Sequence, residues 1–117
     1  MKALITTIPF ADNDKRPLEL LTAAGVGFLV NPLGRKLTEE EIAEYVADFD
    51  VIIAGTEHIS DRVMEKASKL KLIVRVGIGL DSVDLLAARQ RDIQVSYTPD
   101  APSPAVAELT IGLMLTL

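Results

Sequence analysis

A chain of 117 residues, 49% hydrophobic and 25% charged, suits one apolar core and is far too apolar for a disordered segment. Its net charge of −5 and pI near 4.8 argue against a nucleic-acid surface, and the lack of cysteine excludes a disulfide framework and thiolate metal sites. No apolar run reaches the ~20 residues of a membrane span, and the amino terminus lacks the apolar length of a signal peptide; a soluble, cytoplasmic protein without a membrane partner is expected.

Five short apolar runs recur at roughly 21–24-residue intervals, each followed by a helical pattern, which is the spacing of consecutive βα units. The first strand is expected over residues 2–6. Pro17 suits the first turn of a helix running to Ala24, with Leu18, Leu20 and Leu21 as its apolar stripe and Gly25 as its stop. Residues 27–30 form the second strand. Thr38 and Glu41 then stand at capping-box spacing before a helix that turns Ile42 and Val46 inward.

Residues 50–54 read as the third strand. Ser60 caps the next helix, whose apolar face is Val63, Met64 and Ala67. Residues 72–76 are the fourth strand, Asp84 begins a helix to Arg91, and residues 93–97 are the fifth strand. Strands this rich in Ile, Val and Leu, with little alternation, belong to a parallel sheet covered on both faces. Right-handed crossovers then predict an α/β fold: an open, doubly wound five-stranded parallel sheet in flavodoxin-like order, with ligands outside the carboxyl ends of the strands.

Three loops meet at that edge, over residues 55–59, 76–81 and 98–102. The second is the focus. A strand that turns on Gly77 and Gly79 into a helix leaves a nest of backbone N–H groups, a site suited to a carboxylate or phosphate. The same glycines could equally serve only a tight turn. Asp81 reads as support for the loop near a helix N-terminus. Arg75, at the end of an apolar strand, needs a carboxylate partner, for which Asp100 and Glu108 are the candidates. His58 is the only histidine; in the loop with Thr56 it either lines the cleft or is simply solvated. Asp100 and Pro99 either shape the cleft or stiffen a loop in which three prolines fix φ.

The last helix, capped by Ser103 and Pro104, is apolar almost all round. Two or three exposed leucines would each forgo ~1.5–3 kcal/mol. The reading preferred is a piece of a longer protein whose next domain covers this helix; self-association through Leu109, Leu113 and Leu117, or an ordinary core helix, are the other readings.

The run Arg75-Val76-Gly77-Ile78-Gly79-Leu80-Asp81-Ser82-Val83-Asp84 resembles the R-x-G-x-G-x-D-N-V-D signature of NAD-dependent D-isomer-specific 2-hydroxyacid dehydrogenases, with Ser82 where Asn is usual. Residues 98–102 and Val106-Ala107-Glu108-Leu109-Thr110 are similar to the segment before their interdomain helix, especially in phosphoglycerate dehydrogenase-like members. The resemblance implies that residues 1–104 are the first part of a substrate-binding domain and 105–117 the helix leading to a Rossmann domain. It implies hydride transfer between NAD and C2 of a D-2-hydroxy acid, and a homodimer when full length. The catalytic Arg, Glu and His and the G-x-G-x-x-G of the cofactor site would all lie beyond Leu117, so this stretch alone should be inactive. It also places the amides of Val76, Gly77, Ile78 and Gly79 on the carboxylate of a small 2-hydroxy or 2-oxo acid, with Thr56 and His58 nearby. Relatives that use phosphoglycerate often carry Arg in the 55–59 loop; Glu57 here argues against a phosphorylated substrate.

Two other uses of this fold fail on residues. A phosphoacceptor receiver needs carboxylates after the first and third strands and a Lys after the fifth, where this chain has Thr6-Thr7, Gly55-Thr56 and Thr98-Pro99. A flavodoxin needs a phosphate loop where this chain has Ile8-Pro9-Phe10, and stacking aromatics where it has no Trp. A non-catalytic, corepressor-like binder on the dehydrogenase fold is the alternative function.

Overall fold

The computed structural model describes residues 1–77, 79–97 and 111–116. The chain alternates strand and helix: β1 (Lys2–Ile5), α1 (Arg16–Ala23), β2 (Gly27–Val30), α2 (Glu39–Tyr45), β3 (Val51–Ala54), α3 (Asp61–Lys66), β4 (Leu72–Arg75), α4 (Leu85–Gln90) and β5 (Gln94–Tyr97). A short 3-10 turn, Val46–Asp48, extends α2, and residues 111–115 form a final helix, α5. All strands pair in parallel, in the order β2-β1-β3-β4-β5. This is the flavodoxin-like order expected from the spacing of the apolar runs.

The strands look uniformly apolar because both faces are covered. Leu4, Ile52, Ala54 and Ile73 point to one face, where they pack against Ile42 and Val46, Val63 and Met64 of α3, and Ala87 and Ala88 of α4. Ala3, Ile5, Val51, Ile53, Leu72 and Val74 point to the other, against Leu21 of α1 and Met114 of α5. Period-two alternation is thus present, but it divides two apolar layers rather than core from solvent. Each fully buried Ile or Leu contributes about 1.5–3 kcal/mol of transfer free energy.

The local signals act as their chemistry dictates. Pro17 sits in the first turn of α1, and Gly25 follows it at φ +75°, a left-handed conformation that glycine adopts without penalty. Thr38 accepts from the Glu41 amide while the Glu41 side chain accepts from the Thr38 amide. Ser60 accepts from Val63 N–H at the start of α3. Asp84 accepts from Ala87 N–H at the start of α4.

Asp84 opens α4 as expected, after a turn in which Val83 N–H donates to Leu80 C=O at 3.0 Å; Asp81, before that turn, is exposed and makes no hydrogen bond among the described residues. One expectation needs correction. Leu20 is only half-buried, since Leu21 occupies the centre of the α1 stripe. Among the described residues of the final helix, Met114 is buried, Ile111 and Leu113 pack on the second core, and Leu115 is 69% exposed. Residues 98–110 and Leu117, hence Asp100, Ser103, Glu108 and Leu109, lie outside the described residues.

Candidate substrate site at the carboxyl edge of the sheet

Parallel strands bring the loops after β1, β2, β3 and β4 to one edge. In the order 2-1-3-4-5 the chain switches direction between β1 and β3, so a crevice is expected outside their carboxyl ends. Here that position is filled. The Glu57 carboxylate, 3% exposed, accepts from Gly55 N–H at 2.8 Å and from the Thr6 hydroxyl at 3.1 Å. Thr7 closes over the same point, and a Cβ on Gly55 would stand 2.7 Å from Thr7 Oγ1. Gly55 is therefore a glycine of close approach.

The loop after β3 continues in an extended alternation. Gly55, Glu57 and Ile59 are buried, whereas Thr56 and His58 are exposed. Its far end is tied to the loop after β4 by a parallel bridge between Ile59 and Val83, in which Ile59 N–H donates to Ser82 C=O at 2.8 Å and Asp84 N–H donates to Ile59 C=O at 3.0 Å. The two loops that carry the expected site residues are thus one stitched unit.

Beyond Arg75, the last residue of β4, the ladder continues to Val76, the expected end of this strand. Val76 N–H donates to Ala54 C=O at 2.7 Å, so of the four amides expected to face a ligand this one is committed to the sheet. Gly77 follows at φ +144°, a conformation essentially restricted to glycine. Neither the Gly77 nor the Gly79 N–H donates to a carbonyl among the described residues. A Cβ on Gly79 would meet nothing within 4 Å. Ile78 lies outside the described residues.

Arg75 stands at the end of β4. Among the described residues it pairs with no carboxylate; its guanidinium curls forward and donates to Val76 C=O, leaving Nε buried without a partner. The two expected acids, Asp100 and Glu108, fall outside the described residues.

Sequence reasoning missed three residues of this edge. Glu57 reads as a cleft-facing charge but is turned inward. Thr6, at the end of β1, is fully buried and donates to that carboxylate. Asn31, at the end of β2, donates from its side-chain amide to Thr6 C=O at 3.1 Å and Arg35 C=O at 2.8 Å, and accepts from Leu33 N–H at 2.9 Å. Only Asn31 had a visible signal, since Asn-Pro after a strand marks a turn. Beside it, a hollow of about 390 Å³ opens between Ile8, Phe10, Val30 and Gly34. A larger one, about 460 Å³, lies at the other end of the sheet between α4 and the start of β5, where no expected site residue stands.

The described residues hold no G-x-G-x-x-G, and the amino end of α4, which follows the glycine turn, is capped by the Asp84 side chain. Among them no group of three His, Asp or Glu side chains could hold a metal, and no helix is long and apolar enough to cross a membrane.

Residues 8–113 match the family model for the D-isomer specific 2-hydroxyacid dehydrogenase catalytic domain. The chain is 51% identical over 81 residues to a D-3-phosphoglycerate dehydrogenase of Methanocaldococcus jannaschii, covering 68% of this chain and 15% of that protein. It is 38% identical over 80 residues to a hydroxypyruvate reductase of Thermotoga maritima, covering 68% of this chain and 26% of that protein. Among solved structures it resembles the NAD+-bound 3-phosphoglycerate dehydrogenase of Entamoeba histolytica, at a TM-score of 0.74 and 34% identity over 97% of this chain and 38% of that one. It also resembles the TT0316 protein of Thermus thermophilus, at a TM-score of 0.75 and 35% identity over 99% of this chain and 36% of that one. The chain therefore spans well under half the length of these relatives. With the parallel sheet, its strand order and the family match over residues 8–113 in agreement, this chain belongs to the D-isomer specific 2-hydroxyacid dehydrogenases.

Proposed function

We propose that this chain is the substrate-binding part of an enzyme that transfers a hydride between NAD and C2 of a D-2-hydroxy acid, and that its own share of the work is to grip the acid end. The observation that carries this reading is the turn after β4. Two glycine amides there have no carbonyl partner among the described residues, and Gly79 stands in open space. Backbone amides in such a turn suit a carboxylate.

With Val76 engaged in the sheet, the donors would be Gly77, Gly79 and the intervening Ile78. Thr56 and His58, exposed on the adjoining loop, would contact the remainder of a small 2-hydroxy or 2-oxo acid. Asp81, Asp100 and Glu108 would have only supporting roles. NAD, the imidazole that exchanges a proton with the hydroxyl, and the guanidinium that orients the carboxylate would come from a further domain reached through residues 105–117. The full-length protein would dimerise through that further domain.

The test is NADH oxidation by the full-length protein with glyoxylate and hydroxypyruvate, in wild type and G79A. If the amides grip the carboxylate, a Cβ at position 79 intrudes on the ligand and KM for the acid rises about tenfold or more, equivalent to ~1.4 kcal/mol. No turnover of any 2-oxo acid would refute the dehydrogenase reading; turnover with unchanged KM in G79A would refute the role of the turn.

A further inference from the structure

The geometry points to Glu57 as the positioning residue of the candidate site: its buried carboxylate fixes the loop that presents Thr56 and His58. This rests on the reading of the carboxyl edge as a substrate site. A carboxylate in a surface loop is ordinarily solvated, and burying one costs free energy unless donors meet it. Here the donors come from both sides of the switch point. Gly55 N–H belongs to the loop itself, and the Thr6 hydroxyl belongs to the end of β1. The bond to Thr6 therefore anchors the loop after β3 to a neighbouring strand.

The other end of the loop is held by the Ile59–Val83 bridge. With Glu57 turned in and Ile59 buried, the alternation of an extended chain leaves Thr56 and His58 facing out. Loss of the Glu57 anchor frees the first half of the loop and lets those two side chains change register, with the bridge at Ile59 intact. Gly55 makes the arrangement compact, because any Cβ there would collide with Thr7 and come within 3.3 Å of Glu57 Oε1.

Both hydrogen bonds converge on one atom, Oε2. The anchor thus needs one acceptor oxygen and not a negative charge. A glutamine oxygen can take that place, and its amide can take the place of Oε1, which accepts no hydrogen bond among the described residues. This separates anchoring from a charge effect on the ligand.

The test is steady-state kinetics of the full-length protein with glyoxylate and NADH, together with thermal melting, for E57A, E57Q, T6V and T6S. E57A is expected to raise KM for glyoxylate about tenfold while KM for NADH stays within about twofold. E57Q and T6S should restore the glyoxylate KM to within about threefold of wild type, and T6V should show a smaller rise in the same direction as E57A. If E57A does not fold, the contrast of T6V with T6S carries the test. Equal changes in both KM values, or a glyoxylate KM untouched in E57A and T6V, would overturn the assignment, as would E57Q behaving like E57A. An inactive wild type would overturn the dehydrogenase reading and this inference with it, whereas an active wild type with unmoved variants would overturn this inference alone.

Discussion

The Arg75 guanidinium occupies the space that a side chain on Gly77 would need. A Cβ built on Gly77 falls 3.0 Å from Arg75 Cζ and 3.2 Å from Nη2, and meets Nη1 more closely still. The backbone there stands at φ +144°, and it is this conformation that opposes substitution, because the guanidinium is the far end of a flexible side chain and can swing aside. G77A should lose about 1–3 kcal/mol from the backbone conformation. In an R75A background that cost stays. Urea denaturation of the four proteins of this cycle should therefore show G77A about as damaging in the R75A background as beside the native Arg75.

Gly79 behaves in the opposite way. A Cβ there meets nothing within 4 Å and the backbone lies outside the left-handed region. G79A should change stability by no more than about 0.5 kcal/mol, the usual range for an unencumbered surface position. A larger loss in chemical denaturation would show that this glycine serves the fold. The pair thus divides the turn into a glycine that the fold requires and one that it does not.

This division was not legible in the sequence, where both glycines read alike. What was legible were features whose physics is local: the capping pairs Thr38–Glu41 and Ser60–Val63, Pro17 opening α1, Gly25 ending it, and the strand order from the spacing of the βα units. Glu57 and Thr6 depend on a contact between residues far apart in the chain. A Glu in a loop reads as solvated until the Thr6 hydroxyl, 51 positions away, is seen to donate to it. Val76 failed as a free donor for the same reason, since its partner Ala54 belongs to another strand. The alternation over residues 55–59 is one of burial and not of residue type, because Thr56, Glu57 and His58 are all polar, so it was not legible in the sequence.

Arg35 and Glu41 give a prediction in pH. The guanidinium donates to both carboxylate oxygens, at 3.1 and 2.8 Å, and this hydrogen bond holds the Glu41 carboxyl below its ordinary value of 4.5. A carboxyl that binds protons less readily when folded contributes stability above its unfolded pKa and loses it as the pH falls through the folded one. E41Q should thus be less stable than wild type near neutrality, and the difference should close below about pH 4. The pair is solvent-exposed, so the effect is small and should shrink further in about 1 M salt. Urea midpoints of both proteins across this pH range check it; a gap that widens in acid would contradict the sign.

The final helix offers the sharpest contrast between adjacent side chains. Met114 is 3% exposed and faces Ala24 and Val26, beside a hollow of about 220 Å³, while Leu115 is 69% exposed. M114A should cost about 2–5 kcal/mol, because a buried side chain of this size leaves a cavity when truncated. L115A should fall within about 0.5 kcal/mol of wild type in the same denaturation. If α5 were held only by a neighbouring domain and not by this sheet, the order would change: both variants would be mild in the 117-residue chain, and Leu115 would matter only in the full-length protein. A large M114A effect in the isolated chain itself therefore separates a helix docked on its own sheet from one borrowed by the next domain.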